Sequence, residues 1–201
     1  MADENVFEVG ATMAGHYGAT ATGVTFAETT FVGAWNVQGN AGDPAFDDAV
    51  REAFGLSLPV ASNTSIRNGA LTALWLGPRS WLVVASEEPT IADLESRRDA
   101  INAARGALFD VTASRVAWTI AGPQAATVLA KGCPLDFHPR AFGEGACAQS
   151  VFGHVNALFY RRAASSVFTL MVARSLARDA WHFLCQSAAQ YGYDILRPRP
   201  F

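Results

Sequence analysis

Helix signals in this chain alternate with signals for pairs of strands, not for single strands. "LTALWLGPRSWLVVA" (71–85) holds two apolar, β-branched runs around a Gly-Pro turn, which predicts a hairpin. "ALFDVTASRVAWTIAG" (107–122) reads as a second strand pair, in which Val116, Trp118 and Ile120 alternate with smaller residues as on a half-buried strand. Thr-, Val- and aromatic-rich 22–38 predicts two strands or one long bulged strand, and 147–160 and 166–173 predict more. "VFTLMV" (167–172) is apolar on both faces, as a central strand must be.

The helices between them are punctuated. Asp43 is a good N-cap and Pro44 suits the first helical position; Phe46, Ala49, Val50, Ala53 and Phe54 recur at helical spacing, and Gly55 closes the helix. Over 89–106 a second helix is expected, capped by Thr90, with Ile91, Leu94 and Ile101 on one face, an Asp93–Arg97 pair on the other, and Gly106 at its end. "GPQAATVLAKG" (122–132) predicts a short helix with Pro123 in its first turn and Gly132 in a left-handed turn beyond it. The last helix is expected over 174–191, facing Leu176, Ala180, Phe183, Leu184 and Ala188 inward, with Gly192 as the residue after its cap. Residues 56–70, rich in Ser, Asn, Gly and Pro, read as a loop. Hairpins between helices exclude a doubly wound parallel sheet and predict an α+β fold: mixed, largely antiparallel sheets with helices on one face. Residues 1–21 read as a flexible arm and 193–201 as a basic, Pro-rich tail.

Composition narrows what such a fold does. Hydrophobic residues are 50% and charged residues 16%, against about 25% charged in ordinary soluble domains. Two readings fit this: an Ala-rich coding bias, or a surface that is partly given to a partner. Residues 1–50 carry seven acids and neither Lys nor Arg, whereas 51–201 carry fifteen cations, fourteen of them Arg. Arg is the preferred cation of interfaces. No cation run is interleaved with aromatics, which argues against nucleic-acid binding. The acidic start lacks the pattern of a signal peptide, no apolar run approaches the ~18 residues of a membrane span, and three irregularly spaced cysteines do not make a disulfide framework. The expected compartment is the cytoplasm.

The densest chemistry lies in "KGCPLDFHPRAF" (131–142). Cys133, Asp136, His138, Cys147 and His154 are all metal-ligand types, but no C-x-x-C or H-x₃-H pair is present. Lys131 and His138 would lower the pKa of a Cys133 thiol, yet its place after a helix C-terminus disfavours the thiolate. A packed thiol is the better reading. Asp110, Ser114 and His154 form a triad only by coincidence of folding, and no G-x-S-x-G or phosphate-binding glycine motif occurs. Asp47/Asp48 and Glu87/Glu88 read as solvated, and His182 as partly buried beside the last helix's apolar stripe. Lys131 suits the helix C-terminus, Pro134 and Pro139 stiffen the loop, and Asp136 and His138 bond its backbone.

"LWLGPRSWLVVA" (74–85), "DVTASRVAWTIAGPQAATVLAKGCPLDFHPRAFGEGACAQ" (110–149) and "VARSLARDAWHFLCQSAAQYG" (172–192), together with 31–56, resemble the gamma subunit of heterotetrameric sarcosine oxidase in content, order and spacing. The resemblance covers about 22–192, which it makes one domain of two tightly packed α/β halves, about 22–106 and 107–192. It implies a reduced aminomethyltransferase (folate-binding) fold and a non-catalytic place in an oxidoreductase complex of sarcosine catabolism and one-carbon metabolism. That complex demethylates sarcosine oxidatively to glycine. Its alpha, beta and delta subunits are the implied partners; FAD, FMN, NAD and tetrahydrofolate belong to partner subunits and zinc to the smallest. No catalytic or cofactor-binding residue carries over to this chain. Lys131, Asp136, His138 and Arg140 remain as partner-contact candidates, Arg140 foremost. Folate-dependent iron–sulfur maintenance proteins share that fold and a K-G-C signature, but theirs continues Gly-Gln-Glu where Pro134, Leu135 and Asp136 stand here.

Two other readings stay open at this point. One is the equivalent subunit of a related N-methyl amino acid dehydrogenase, such as one acting on N-methylglutamate. The other is a stand-alone folate-binding module, for which Asp110, beside Phe109 and Trp118, is the one candidate carboxylate.

Overall fold

The computed structural model describes residues 14–87, 94–162 and 166–201. Strands β1 (Gly15–Tyr17), β2 (Val24–Thr30) and β3 (Gly33–Gln38) precede helix α1 (Pro44–Phe54). Strands β4 (Ser65–Asn68), β5 (Leu71–Gly77) and β6 (Ser80–Ala85) precede α2 (Leu94–Ala103). Then come β7 (Ala107–Asp110), β8 (Arg115–Ala121) and α3 (Ala125–Ala130). The chain continues through β9 (Cys147–Phe152), β10 (Val155–Arg161), β11 (Val167–Ala173), α4 (Ala177–Ala188) and β12 (Tyr193–Pro200).

These strands make two sheets, in the orders β1-β12-β2-β8-β11-β10-β9 and β4-β5-β6-β3-β7. Every named pairing is antiparallel except β12 on β2, so the sheets are mixed and largely antiparallel as expected. Each sheet carries helices on one face. Val128, Leu129, Ala180, Trp181 and Leu184 of α3 and α4 pack on Phe26, Trp118, Phe159 and Leu170 of the larger sheet. Phe46, Val50 and Phe54 of α1, with Ile101 of α2, pack on Trp35, Val37, Trp81 and Val83 of the smaller. The two remaining faces meet: Ala34, Leu74, Leu82 and Val84 lie against Ala117, Cys147, Leu158, Tyr160 and Met171. The result is four layers, helix–sheet–sheet–helix.

The two halves interlace rather than divide at residue 106. β2 and β3 are consecutive, yet β2 belongs to the larger sheet and β3 to the smaller; β7 and β8 separate in the same way. So the strand pair read from 107–122 is a crossing between layers, not a hairpin. Thr112 clamps that crossing: its hydroxyl accepts from the Ala34 N–H at 2.9 Å, and the Val111 N–H donates to the Ala34 carbonyl.

Local chemistry explains the elements. Asp43 accepts from the Ala45 N–H and Gly55, at φ 65°, closes α1 in the left-handed region. The 56–70 loop contains a short edge strand, β4, that its turn residues conceal. In α4, Leu176 lies in the lead-in turn and is exposed, while Trp181 takes the inward position beside Ala180 and Leu184. The Thr90 cap, Ile91 and Asp93 lie outside the described residues.

Of the arm read over 1–21, residues 1–13 lie outside the described residues; the described part, from residue 14, and the 193–201 tail both differ from that reading by joining the larger sheet. His16 and its neighbours form β1 on β12, where the His16 ring meets the Asp194 carboxylate at 2.6 Å. That hydrogen bond raises the His16 pKa above its ordinary value. Residues 193–200 run parallel beside β2, with a register shift between Leu196 and Arg199 that spans Pro198. Proline lacks the ladder donor, so a bulge is where a strand tolerates it. Phe201 donates its N–H to the Thr30 carbonyl, and its buried ring stacks on Tyr160 at 5.7 Å.

Gly132 departs from expectation too. Its φ is not positive; the positive value in this region is at Gly122, φ 118°. What Gly132 supplies is space: a Cβ there would lie 2.4 Å from the Phe183 ring and 2.9 Å from Phe152.

Two stability outcomes are expected, both read by thermal and denaturant unfolding of the purified chain. Phe201→Ala removes a ring from the inter-sheet layer and lowers stability by roughly 3 kcal/mol. Gly132→Ala forces two phenylalanine rings apart and costs about 1–3 kcal/mol; an unchanged unfolding midpoint would show that the rings have room to yield.

Candidate functional site

The 131–142 stretch is a loop pinned from beneath. Lys131 follows α3 but does not serve its own helix. Its Nζ donates to the Ser187 carbonyl of α4 at 2.5 Å and sits 4.6 Å over the Tyr191 ring, so the cation lies at α4's C-terminal end. The Gly132 carbonyl accepts from the Gly153 N–H at 2.8 Å, and Cys133 is buried as a packed thiol. Phe137 then enters the core, with ring contacts to Phe142, Phe159 and Phe168 at 5.2–5.6 Å. The turn between the two anchors is drawn by side chains, as expected. Asp136 Oδ1 accepts from the His138 N–H at 2.8 Å, and His138 Nδ1 accepts from the Arg140 N–H at 3.2 Å.

Arg161 under this loop was not legible as a feature of it. It is buried; Nη1 donates to the Phe142 carbonyl at 2.7 Å, and its guanidinium lies 5.6 Å from the Phe168 ring centre. An Arg at a strand's end reads as solvated; the sequence signal that could have marked the loop as anchored is its pair of aromatics, Phe137 and Phe142.

The reactive side chains do not converge. Among the described residues no group of three or more His, Cys, Asp and Glu gathers as a metal site. Cys147 lies apart from Cys133, in the inter-sheet layer, with its Sγ 3.1 Å from the Thr64 carbonyl. Burial pushes its pKa up to about 11, which leaves it a thiol at neutral pH. Ser114 donates to the Val111 carbonyl, and His154 lies exposed in the β9–β10 turn. His182 is exposed rather than partly buried, with its Nε2 2.9 Å from Gln186 Nε2. Asp47 is ion-paired with Arg51 at 2.8 Å.

The residues weighed for a pterin do not fit one. Asp110 is exposed, and its Oδ1 accepts from the Thr112 N–H as a turn residue. Phe109 is also exposed, while Trp118 is buried on the helix-covered face of the larger sheet, stacked on Trp181 at 5.5 Å. A carboxylate in water and a ring in a separate core form no pocket. The loop's geometry holds shape and presents Asp136, His138 and Arg140 outward.

Comparison with known proteins agrees with the resemblance seen in the sequence. Residues 38–190 match the sarcosine oxidase, gamma subunit family. Sarcosine oxidase subunit gamma of Corynebacterium sp. (strain U-96) is 31% identical over 182 residues, 90% of this chain and 84% of that one. The Arthrobacter sp. subunit gamma is 33% identical over 157 residues, 76% of this chain and 74% of that one. Among solved structures, a chain of the heterotetrameric sarcosine oxidase from Corynebacterium sp. U-96, in complex with pyrrole 2-carboxylate, aligns with a TM-score of 0.78 and 27% identity, covering 87% of this chain and 88% of that one. The glycine cleavage system aminomethyltransferase T from Bartonella henselae shares the fold, with a TM-score of 0.57 at 14% identity over 88% of this chain and 48% of that protein. The chain belongs to the sarcosine oxidase gamma subunit family.

Proposed function

We propose that this chain is the gamma subunit of a heterotetrameric, flavin-dependent sarcosine oxidase and that its role is structural. It shapes and holds a complex that demethylates sarcosine oxidatively to glycine. The observation that carries this reading is likeness along nearly the whole chain: 87% of it aligns with 88% of a chain from a heterotetrameric sarcosine oxidase. On this reading the partners are alpha, beta and delta subunits in the cytoplasm. FAD, FMN, NAD and tetrahydrofolate belong to partner subunits, and zinc to the smallest. The scattering of Cys133, Cys147, Asp110 and His154 over separate parts of the fold supports a chain that does no chemistry alone.

Within that role the 131–142 loop is a contact surface. Lys131 is engaged with α4, and Asp136 and His138 are engaged with the loop's own backbone. Arg140 is exposed and is the member with a guanidinium to offer.

Two outcomes test this. Purified alone, the chain shows no flavin absorbance; co-expressed with the alpha, beta and delta subunits, it co-elutes with them in equimolar amount and the complex releases peroxide with sarcosine. Elution apart from the other three overturns the reading. Arg140→Glu weakens retention in the complex, measured as release at lower salt; a variant retained like the parent shows that the loop serves only its own domain.

A further inference from the structure

The larger sheet's inner face extends past the sheet that covers it. Along β8, β9 and β10 the alternation of side chains puts Arg115 on the face of Ala117, Gln149 and Val151 on the face of Cys147, and Asn156 on the face of Leu158. Ala117, Cys147 and Leu158 belong to the layer between the sheets. The Gln149 side-chain amide donates to the Leu76 carbonyl at 2.8 Å, which marks where the smaller sheet's cover stops. Beyond that bond lies an open trough of about 420 Å³, lined by Arg115, Gln149, Ser150, Val151, Asn156 and Leu158.

Two features of this trough are unfinished. Arg115 is half-buried, and no carboxylate or carbonyl among the described residues meets its guanidinium; burial alone lowers its pKa. A desolvated guanidinium without an acceptor costs free energy that a carboxylate would recover through two parallel hydrogen bonds. Val151, on β9 at the other side of the trough, is 38% exposed, and Gln149 and Asn156 on the same face are exposed with it. An Arg anchor with amide and apolar neighbours is the make-up of a protein interface rather than of an enclosed small-molecule site.

We infer that this trough is where a partner subunit docks an acidic segment, its carboxylate forked on Arg115, with the Asn156 amide alongside and Val151 and Leu158 giving the apolar contact. The inference rests on the chain's role as a complex subunit and deepens it by naming the surface and the charge of what meets it. The trough opens on the face of β9 and β10 opposite the one that packs on Phe137, so it is distinct from the 131–142 loop.

The test uses the co-expressed complex. Arg115→Glu sets two like charges across the contact and weakens retention of the subunit roughly 30-fold or more, as breaking a desolvated charge pair does; release is read by size exclusion across a salt series. The far-ultraviolet circular dichroism and unfolding midpoint of the isolated variant match the parent's. Hydrogen exchange on the unaltered protein provides a second measure, independent of the variant's folding: amides of 149–158 exchange more slowly in the complex than in the free chain. A variant retained like the parent, or equal exchange at 149–158 in complex and free chain, overturns the inference while leaving the subunit role intact. If the unaltered chain itself fails to co-elute, the subunit role falls, and the docking surface with it.

Discussion

The contact between the two sheets governs the rest of the molecule. Ala34, Leu74, Leu82 and Val84 on one side and Ala117, Cys147, Leu158, Tyr160 and Met171 on the other exclude water where the two inner faces overlap. Apolar area buried this way stabilises at roughly 25 cal/mol per Å². With helices on both outer faces, the central strands are dry on both sides, which is why "VFTLMV" carries no polar alternation. Small residues at Ala34 and Ala117 let the sheets approach. Thr112 carries the β3–β7 pairing two residues beyond Asp110, its hydroxyl bonding the Ala34 backbone where the chain leaves for the larger sheet.

Much of this was legible in the sequence, and the reasons it was or was not are local. Asp43, Pro44 and Gly55 announce α1 through short-range chemistry, and the structure follows them residue by residue. The Gly-Pro turn announces the β5–β6 hairpin in the same way. Which sheet a strand joins is not a local property. β2 and β3 look like neighbours because they are close in sequence, but the Phe31–Val32 step carries the chain from one layer to the other. Pro198 and Pro200 made β12 look like a tail, since a strand beside a parallel neighbour is expected to donate throughout its length. The bulge before Arg199 resolves that conflict. Leu176 falls off the helical stripe because α4 begins only at Ala177, and His182 lies on the exposed side of α4 against Gln186.

The site was legible in its chemistry but not in its anchoring. Residue types that elsewhere make nucleophiles and ligands have local structural uses here: Lys131 tethers one helix to another, Asp136 and His138 fold a turn, and Cys133 and Cys147 fill space. What fastens the loop is Phe137 and Phe142 over the buried Arg161. Sequence spacing cannot show that, because Arg161 comes from a strand nineteen residues beyond Phe142. A loop this well anchored keeps its outer face in one shape, which suits recognition by a fixed partner surface better than a reaction that needs motion.

The parallel pairing of β12 with β2 has a consequence for how the chain comes into being. Tyr193 aligns with Val24, so the middle of the larger sheet closes through residues about 170 positions apart. Until the segment from Tyr193 onward leaves the ribosome, β2 has β8 on one flank and an open edge on the other. The smaller sheet, complete by Asp110, has no such wait. Synthesis therefore yields a finished half and a half that must hold an unpaired edge, the kind of surface that recruits the wrong strand. Translation order and chaperone access thus bear on the yield of this protein as directly as its equilibrium stability does.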